Sequence, residues 1–353
     1  MLYKKVIVFG RGRIGSELVR LLQSAEGLEE INILSRSDWS IGGRANGKWI
    51  WGRANAREPE LPKCFGDTAV FIATSTKDDG LAARDLILHY ALRGATVATC
   101  EKGALSNYFA DLEDVLEFPF HHVYFSAALG GMAQIVPFVL SRIPPPSMHM
   151  RAVLNSSLSV LFGWHKSSPS LRSYEDQFQD AYDYLVRNSW AEPPNPEDAS
   201  PDLACAIHEE IEDAARKAIM LANFCYLRKG DISVKRKRVT VKRLGMHDLV
   251  TQRDKGNRFV VEYCSGDEIE GTERAHFTRV LFRFMVGGVR CRGGFVHASE
   301  LECFQLPTED EYCAVSIRDP RFRLPQVIMA SGAGVTETAL TMLNDVGIDV
   351  TES

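Results

Sequence analysis

A glycine-rich turn, Gly10-Arg-Gly12-Arg-Ile-Gly15, lies near the N-terminus and limits the folds open to this chain. It follows a short β-branched apolar run that begins at Lys5, and it precedes a segment with helical spacing of leucines, so the order is strand, glycine loop, helix. Such a loop lets the backbone approach a pyrophosphate, whose negative charge the start of the helix favours. A bare structural turn is the alternative, but the two flanking elements favour a dinucleotide site.

Strand and helix patterns alternate through the first part of the chain. Apolar runs at 31–34, 69–73, 96–99 and 123–128 have the length of buried strands, and the segment 81–93 has helical spacing. This alternation predicts an α/β fold with a Rossmann-type, doubly wound parallel sheet. The glycine-rich segment 42–48 lacks the spacing of a phosphate-binding P-loop, and we predict an ordinary loop there.

The pattern changes after the prolines at 144–146, which favour an extended boundary. A strong helix near 207–226 and several short alternating runs then predict an α+β domain. A strand at 327–330 and a helix pattern up to Asp345 predict a return to the first domain. We therefore expect residues 1–148 and 326–353 to form the dinucleotide-binding (Rossmann) domain, and residues 149–325 to form the domain for substrate binding, catalysis and dimerisation.

Composition limits the kinds of partner. The 353 residues carry a formal net charge of -5, so no overall positive charge draws the chain to nucleic acid or to an anionic membrane. The basic run 234–243 resembles a solvated strand, which we favour over a polyanion site.

The eight cysteines include no C-x-x-C pair and the nine histidines form no ligand pattern, so no metal site is expected. Without a signal-peptide core, we expect a cytoplasmic protein with a small-molecule partner.

The residues after the second predicted strand indicate which nicotinamide cofactor would bind. That strand ends in Leu34-Ser-Arg-Ser37, without the acidic residue that an NAD site places there. Ser35 and Arg36 suit a 2′-phosphate, so NADP is preferred to NAD; an Arg36 side chain that merely points to solvent is the alternative. Thr74 and Ser75, after the third parallel strand, are further candidate contacts.

Further segments match, in order, the motifs of one known family. They are a lysine-bearing stretch at 91–105, a glycine turn at 125–131, a turn at 153–157, a glutamate at 191–193, a helix at 213–217, and a C-terminal loop at 332–339. On these motifs the chain resembles the homoserine dehydrogenases, in a short form without a C-terminal regulatory domain.

The resemblance implies NADP-dependent interconversion of L-homoserine and L-aspartate 4-semialdehyde by hydride transfer, a place in threonine and methionine biosynthesis, and a homodimer formed through the second domain. It assigns catalysis to Lys217, Lys102 and Asp213. It assigns substrate binding to Glu192, Asp198, Asp213, Gly131 and Ser157. With the glycine loop and the strand ends, the expected cofactor contacts are Gly10, Gly12, Arg13, Ile14, Gly15, Ser35, Arg36, Thr74, Ser75, Lys102, Gly332, Gly334 and Thr338.

Asp213 and Lys217 stand four residues apart, so they share one face of a helix. On spacing alone such a pair is an ordinary surface salt bridge worth about 0.3–0.5 kcal/mol. The resemblance favours a catalytic pair in which Lys217 takes the hydroxyl proton. The turn Asn155-Ser-Ser-Leu158 lacks the family's glycine and threonine, the segment 199–210 is longer than usual, and Ser126 replaces a glutamate near a cation. These departures leave two alternatives, a different amino alcohol as substrate or a non-catalytic NADP-binding homologue.

Overall fold

The structure, a computed structural model, divides the chain into two units. One consists of Met1–Ala133 with Val335–Ser353, and the other of Gln134–Gly334. No helix in the described part of the chain is both long and apolar enough to cross a bilayer. The described residues are 3–35, 39–45, 48–53, 66–74, 78–116, 123–129, 149–163, 173–188, 190–191, 203–227, 239–265, 276–286, 289–301, 312–318, 324–331 and 334–350.

The first unit is built on a seven-stranded sheet whose spatial order is β4-β3-β2-β1-β5-β6-β7. Parallel pairing joins β1 to β2 and β5, β5 to β6, and β6 to β7. An antiparallel hairpin of β3 and β4 extends the edge beside β2. The predicted Rossmann-type α/β sheet is therefore confirmed. The strands are β1 Lys5–Phe9, β2 Glu30–Leu34, β3 Trp39–Ala45, β4 Lys48–Arg53, β5 Thr68–Ile72, β6 Thr96–Thr99 and β7 Val123–Tyr124.

The second unit contains a six-stranded sheet in which every described pair is antiparallel. Its spatial order is β10-β11-β9-β8-β12-β13. This sheet fits the expected α+β class of the second domain. The strands are β8 His149–Val153, β9 Asn257–Ser265, β10 Phe277–Val286, β11 Val289–His297, β12 Tyr312–Arg318 and β13 Gln326–Ser331.

Helices flank both sheets. The long α7 contains the helix that the sequence predicts near 207–226. The helices in the described residues are α1 Arg13–Leu22, α2 Leu81–Ala91, α3 Lys102–Asn107, α4 Phe109–Leu116, α5 Ser156–Gly163, α6 Tyr174–Arg187, α7 Leu203–Leu227, α8 Met246–Asp254 and α9 Val335–Asp345.

The C-terminal helix α9 packs beside α1 within the first unit. Leu18 and Leu22 of α1 share one buried cluster with Met342 and Leu343 of α9 and with Val8 of β1. Leu18 and Leu22 stand four residues apart, and Met342 and Leu343 stand three and four residues after the buried Ala339, so burial of one apolar stripe on each helix holds the two helices on the sheet. The last helix therefore supports the start of the chain, where the glycine loop lies.

Two sequence predictions need correction. Residues 42–45 and Lys48, predicted to be in a loop, lie in β3 and β4, which pair with Gly42 opposite Trp51, while residues 46–47 lie outside the described residues. A Cβ atom at Gly42 would lie 2.8 Å from the Trp51 ring, so the glycine makes room for the indole. The strand at 327–330 does form, as β13, but it pairs with β12 in the second sheet. The chain accordingly re-enters the first unit at Val335 and not at residue 326.

Part of the basic run predicted as a solvated strand lies within the described residues. Residues 239–243 form neither helix nor strand there. The Lys242 backbone nevertheless donates a hydrogen bond to Leu281 O at 2.9 Å, so this segment is held against β10. The rest of the run, 228–238, lies outside the described residues.

Candidate cofactor and catalytic sites

The glycine loop follows β1 directly, and two of its glycines are sterically required. Gly10 has a φ of +110°, and a Cβ atom there would lie 2.3 Å from Ala73 O. A Cβ at Gly15 would lie 2.0 Å from Gly10 O, so only glycine lets the first turn of α1 approach the loop. Thr74, just after β5, borders the same turn, because its backbone nitrogen would be 3.3 Å from a Cβ at Gly10.

Gly12 behaves differently and gives the test of whether a cofactor fits. It precedes α1, and a Cβ atom there would meet nothing within 4 Å. The packing of the protein therefore does not explain a glycine at this position, whereas close approach of a pyrophosphate does. The loop sits where β1 has β2 on one side and β5 on the other, at the switch point where parallel α/β sheets bind nucleotides. The residues fit a dinucleotide.

The charges at the start of α1 also suit an anion. The first turn of α1 contains no acidic residue. Arg13 is exposed, while Ile14 packs against the core cluster and anchors the turn. Arg11, which the sequence-based prediction did not include, donates a hydrogen bond from its guanidinium to Ser40 Oγ on β3. This contact places a cation next to β3, the strand that follows the predicted 2′-phosphate site. The sequence could not predict the contact, because it depends on the position of the β3–β4 hairpin.

Lys102 begins α3 rather than ending a strand, since β6 ends at Thr99. Glu101 caps this helix: its carboxylate accepts the Gly103 and Ala104 backbone N–H groups, both at 2.7 Å, and the residue is buried. Gly80, with a φ of +91°, leaves no room for a Cβ beside Ala104 N. The half-buried Lys102 is thus fixed at a rigid helix start on the carboxyl side of β6.

The C-terminal candidates lie on or beside α9. Thr338 is buried in its first turn, and Gly334 precedes it with a φ of +131°. Thr336 donates a hydrogen bond to Glu17 Oε1 at 2.9 Å, which ties α9 to α1.

At the other end of α9, Asp345 Oδ2 accepts the Ser126 backbone N–H at 3.1 Å, and burial raises the pKa of Asp345 to about 6.

In the second unit, Lys217 and Asp213 form a largely buried pair on α7. Lys217 Nζ lies 2.9 Å from Asp213 Oδ2, and the two side chains are 6% and 21% exposed. The ammonium also donates a hydrogen bond to Leu154 O at 3.1 Å, at the end of β8. The pair is therefore not an exposed helix salt bridge of the kind that spacing alone suggests.

Asn155 connects this pair to the rest of α7. Its amide nitrogen lies 3.2 Å from Asp213 Oδ2 and 2.8 Å from Glu210 Oε2. Its carbonyl oxygen accepts the Leu158 N–H at 2.8 Å, which caps α5. Ser157, a predicted substrate contact, instead donates its hydroxyl hydrogen bond to Trp190 O at 3.1 Å. Ser156 and Ser157 are thus buried parts of a helix start.

Cys313 is a neighbour of this pair that sequence reasoning missed. Burial raises the pKa of its thiol to about 12, although the nearby Lys217 charge acts in the opposite direction. The cysteine is fully buried on β12, so it behaves as a small apolar side chain against the pair. Cys313 lies on a strand remote in sequence from α7, so no sequence pattern could have placed it beside Lys217.

Several predicted site residues lie outside the described residues. These are Arg36, Ser75, Gly131, Glu192, Asp198 and Gly332. Ser35 is described as a half-buried residue directly after β2. Of the predicted residues that are described, Gly10, Gly12, Gly15 and Thr74 come together at the glycine loop, and Asp213 and Lys217 come together on α7.

Neither a protein-family model nor a curated protein matches the sequence. Among solved structures, a homoserine dehydrogenase from Thermoplasma acidophilum superposes with a TM-score of 0.64 at 16% identity, with 98% of each chain covered. A protein of unknown function from Candida auris gives 0.58 at 16% identity, covering 98% of this chain and 97% of that one. A hyperthermophilic archaeal homoserine dehydrogenase mutant in complex with NADPH gives 0.56 at 16% identity, covering 98% and 96%. The chain has a fold similar to that of homoserine dehydrogenases over nearly its whole length.

Proposed function

We propose that this protein is an NADP-dependent dehydrogenase that interconverts an amino alcohol and the corresponding amino aldehyde, with L-homoserine and L-aspartate 4-semialdehyde as the first candidates. The observation that carries the proposal is the buried Lys217–Asp213 pair, held by Asn155 and Leu154 O. An ammonium with 6% exposure is expensive to bury, so a role in chemistry accounts for it better than surface stability does.

The first unit would hold the cofactor. Gly10, Gly12 and Gly15 would admit the pyrophosphate, and the start of α1 with Arg13 would favour its charge. Lys102, at the rigid start of α3, would contact the nicotinamide end. When bound, the nicotinamide supplies the acceptor or donor of a hydride.

The second unit would accept and return the hydroxyl proton of the substrate. Oxidation of an alcohol requires the hydroxyl proton to leave as the hydride leaves the carbon. We assign that proton to Nζ of Lys217, which accepts it as a neutral amine and returns it as an ammonium in the reverse direction. Asp213 and Leu154 O, at 2.9 Å and 3.1 Å from Nζ, would orient the amine. Asp213, with Glu192 and Asp198, would hold the substrate ammonium.

A turnover assay tests this function directly. Purified protein is given NADP and homoserine, or one of a panel of related amino alcohols, and the near-ultraviolet absorbance of the reduced nicotinamide is followed. We expect turnover on at least one of these substrates. The absence of turnover on the whole panel would contradict an enzymatic role.

A second candidate, a non-catalytic NADP-binding homologue that acts as a sensor, is favoured by one observation. Asp213 Oδ2 already contacts both Lys217 and Asn155, so that oxygen has little capacity left for a substrate ammonium. Tight NADP binding without turnover on any amino alcohol would favour this sensor. Turnover that saturates with substrate would eliminate it.

The preference for NADP over NAD rests on Ser35 and Arg36 after β2. A guanidinium that pairs with the 2′-phosphate contributes a charge-assisted hydrogen bond, so Arg36→Ala should weaken NADP binding by roughly tenfold or more and leave NAD affinity nearly unchanged. Calorimetry measures both affinities, with Lys48→Ala on the exposed edge of β4 as the control. A parent protein that prefers NAD would contradict this assignment.

We also propose a homodimer formed through the second unit. In the described part of the chain, β13 is an edge strand that pairs with β12 alone. Val327 and Met329 on it are exposed, and an open apolar edge favours strand addition by a second copy. Light scattering should give about twice the chain mass of 39.4 kDa. A monomer at micromolar concentration would exclude this arrangement.

A further inference from the structure

The second sheet has one face covered by helices and one face that carries charge. Tyr263 Oη donates a hydrogen bond to Ala218 O at 2.9 Å, and the Phe295 ring lies 4.8 Å from that of Phe162, so α7 and α5 cover the face of these aromatic residues. Side chains alternate along a strand, so residues at intervening positions point to the other, outer face. Within the described residues, guanidinium groups dominate part of that outer face.

Two adjacent rows of this outer face show the imbalance of charge. In the first row, Arg283, Arg292, Glu262 and Arg151 lie directly opposite one another across four strands. In the second row, the residues opposite one another are Met285, Arg290, Cys264 and His149. The two rows therefore hold four arginines and one carboxylate. Like charges that face each other across strands, as Arg283 and Arg292 do, are destabilising unless something neutralises them.

Glu262 cannot neutralise the remaining arginines, because its oxygens are already engaged. The residue is fully buried; Oε1 lies 2.9 Å from His149 Nε2 and 3.4 Å from Arg151 Nε, and Oε2 accepts from Arg292 Nε at 2.6 Å. Arg283 and Arg290 are exposed and have no hydrogen bond or ion pair with any described residue. Among the described residues, nothing therefore balances these two positive charges on this face.

The same residues do not suit a metal ion. The donor atoms of His149, Glu262 and Cys264 all lie within 4.8 Å of one another, the spacing of a possible cation site. A cation there would have to displace guanidinium groups from Glu262 while surrounded by further arginines. The local charge therefore disfavours a cation and favours an anion.

A cavity of about 440 Å³ opens where these rows meet β10, lined by Arg283, Arg290 and Arg292 together with Glu262, Cys264 and Met285. This volume is within the range of small-molecule sites. Planar guanidinium groups bind phosphate oxygens in pairs, and several of them around one cavity match a multiply charged anion. We propose that this cavity on the outer face of the second sheet is a binding site for a small phosphate-bearing anion, separate from the glycine loop.

Calorimetric titration with inorganic pyrophosphate tests the site on the full chain. The parent is compared with the double variant Arg283→Gln/Arg290→Gln. The matched control, Lys242→Gln/Lys255→Gln, removes the same charge from other exposed positions of the same unit. Losing two charge-assisted contacts should weaken binding by roughly tenfold or more, whereas the control should stay within about twofold. Hydrogen exchange should show pyrophosphate protecting residues 277–297 in the parent but not in the arginine variant.

Three outcomes would overturn the proposal. Equal affinity of the parent and the arginine variant would place the anion elsewhere, for instance at the glycine loop. An equal loss in the lysine control would show a general charge effect. Protection of 277–297 in a dimeric parent without any pyrophosphate, and no further protection with it, would show that a second copy covers this face. If the double variant does not fold by circular dichroism, Arg283→Gln and Arg290→Gln are titrated singly, and each should weaken binding several-fold.

Discussion

Lys217 Nζ lies 2.9 Å from Asp213 Oδ2, one turn earlier on α7, and the lysine side chain is 6% exposed. Removing one partner of such a pair leaves the other charge buried without compensation, which is far more costly than loss of a surface ion pair. Asp213 is therefore needed for the stability of the second unit, in addition to its role in the proposed chemistry.

Asp213→Ala should lower the free energy of unfolding by about 3 kcal/mol, because the Lys217 ammonium would keep only Leu154 O as a described acceptor. Urea denaturation measures this loss. Glu212→Ala is the matched control on the same helix: its carboxylate pairs with Arg216 and His208 but is 40% exposed, so its loss should stay below about 1 kcal/mol. Equal losses in the two variants would show that Asp213 is an ordinary surface carboxylate.

The glycine loop allows fold and cofactor binding to be separated. Gly12→Ala adds a methyl group that meets no protein atom within 4 Å, so stability should change by less than about 1 kcal/mol. NADP affinity should nevertheless fall by roughly tenfold or more, since the methyl group would occupy the space of the pyrophosphate. Gly15→Ala should destabilise the fold itself, because its Cβ would lie 2.0 Å from Gly10 O. Unchanged NADP binding by Gly12→Ala, measured by calorimetry, would count against a pyrophosphate at this loop.

Asp345 should make stability depend on pH. Burial raises its pKa from 3.8 to about 6, so the folded state favours the neutral carboxyl group. The resulting destabilisation is absent below pH 3.8, develops as the pH rises to about 6, and is complete above that. Asp345→Asn keeps an acceptor for the Ser126 N–H, so near neutral pH it should be more stable than the parent by about 2–3 kcal/mol.

Urea denaturation of both proteins across this pH range measures that difference in unfolding free energy. The advantage of Asp345→Asn should vanish as the pH approaches 3.8. Asp349→Asn, at an exposed position close by, should show no such pH-dependent gain. An advantage of Asp345→Asn that does not vary with pH would mean that the carboxylate is solvated in the folded state.

Local patterns predicted the first unit well because its strands are short apolar runs that each end in a turn. β6 at Thr96–Thr99 and the helix in Leu81–Ala91 follow directly from such runs. The β3–β4 hairpin was missed although the sequence carries Asn46-Gly47, a dipeptide typical of tight hairpins. The partner of β13 could not be predicted, because an apolar run does not specify which sheet it joins.

The candidate site was predicted unevenly for a similar reason. Sequence spacing identified Asp213 and Lys217 as neighbours, but their burial depends on β8 and β12, which are remote along the chain. The capping carboxylate of Glu101 and the contact of Arg11 with Ser40 also depend on tertiary placement. Periodicity reports which face of an element is apolar, and it does not report what packs there.

Turnover by Lys217→Met on the best substrate of the amino-alcohol panel tests whether Lys217 transfers the proton. Methionine keeps most of the volume and helix propensity of lysine, so circular dichroism should show a folded protein. If Lys217 transfers the proton, kcat should fall at least about 100-fold while NADP affinity stays within a few-fold of the parent. Lys255→Met, at an exposed position after α8, should turn over like the parent. A folded Lys217→Met protein with a near-parental kcat would contradict proton transfer by Lys217 and leave Lys217 and Asp213 with a purely structural role.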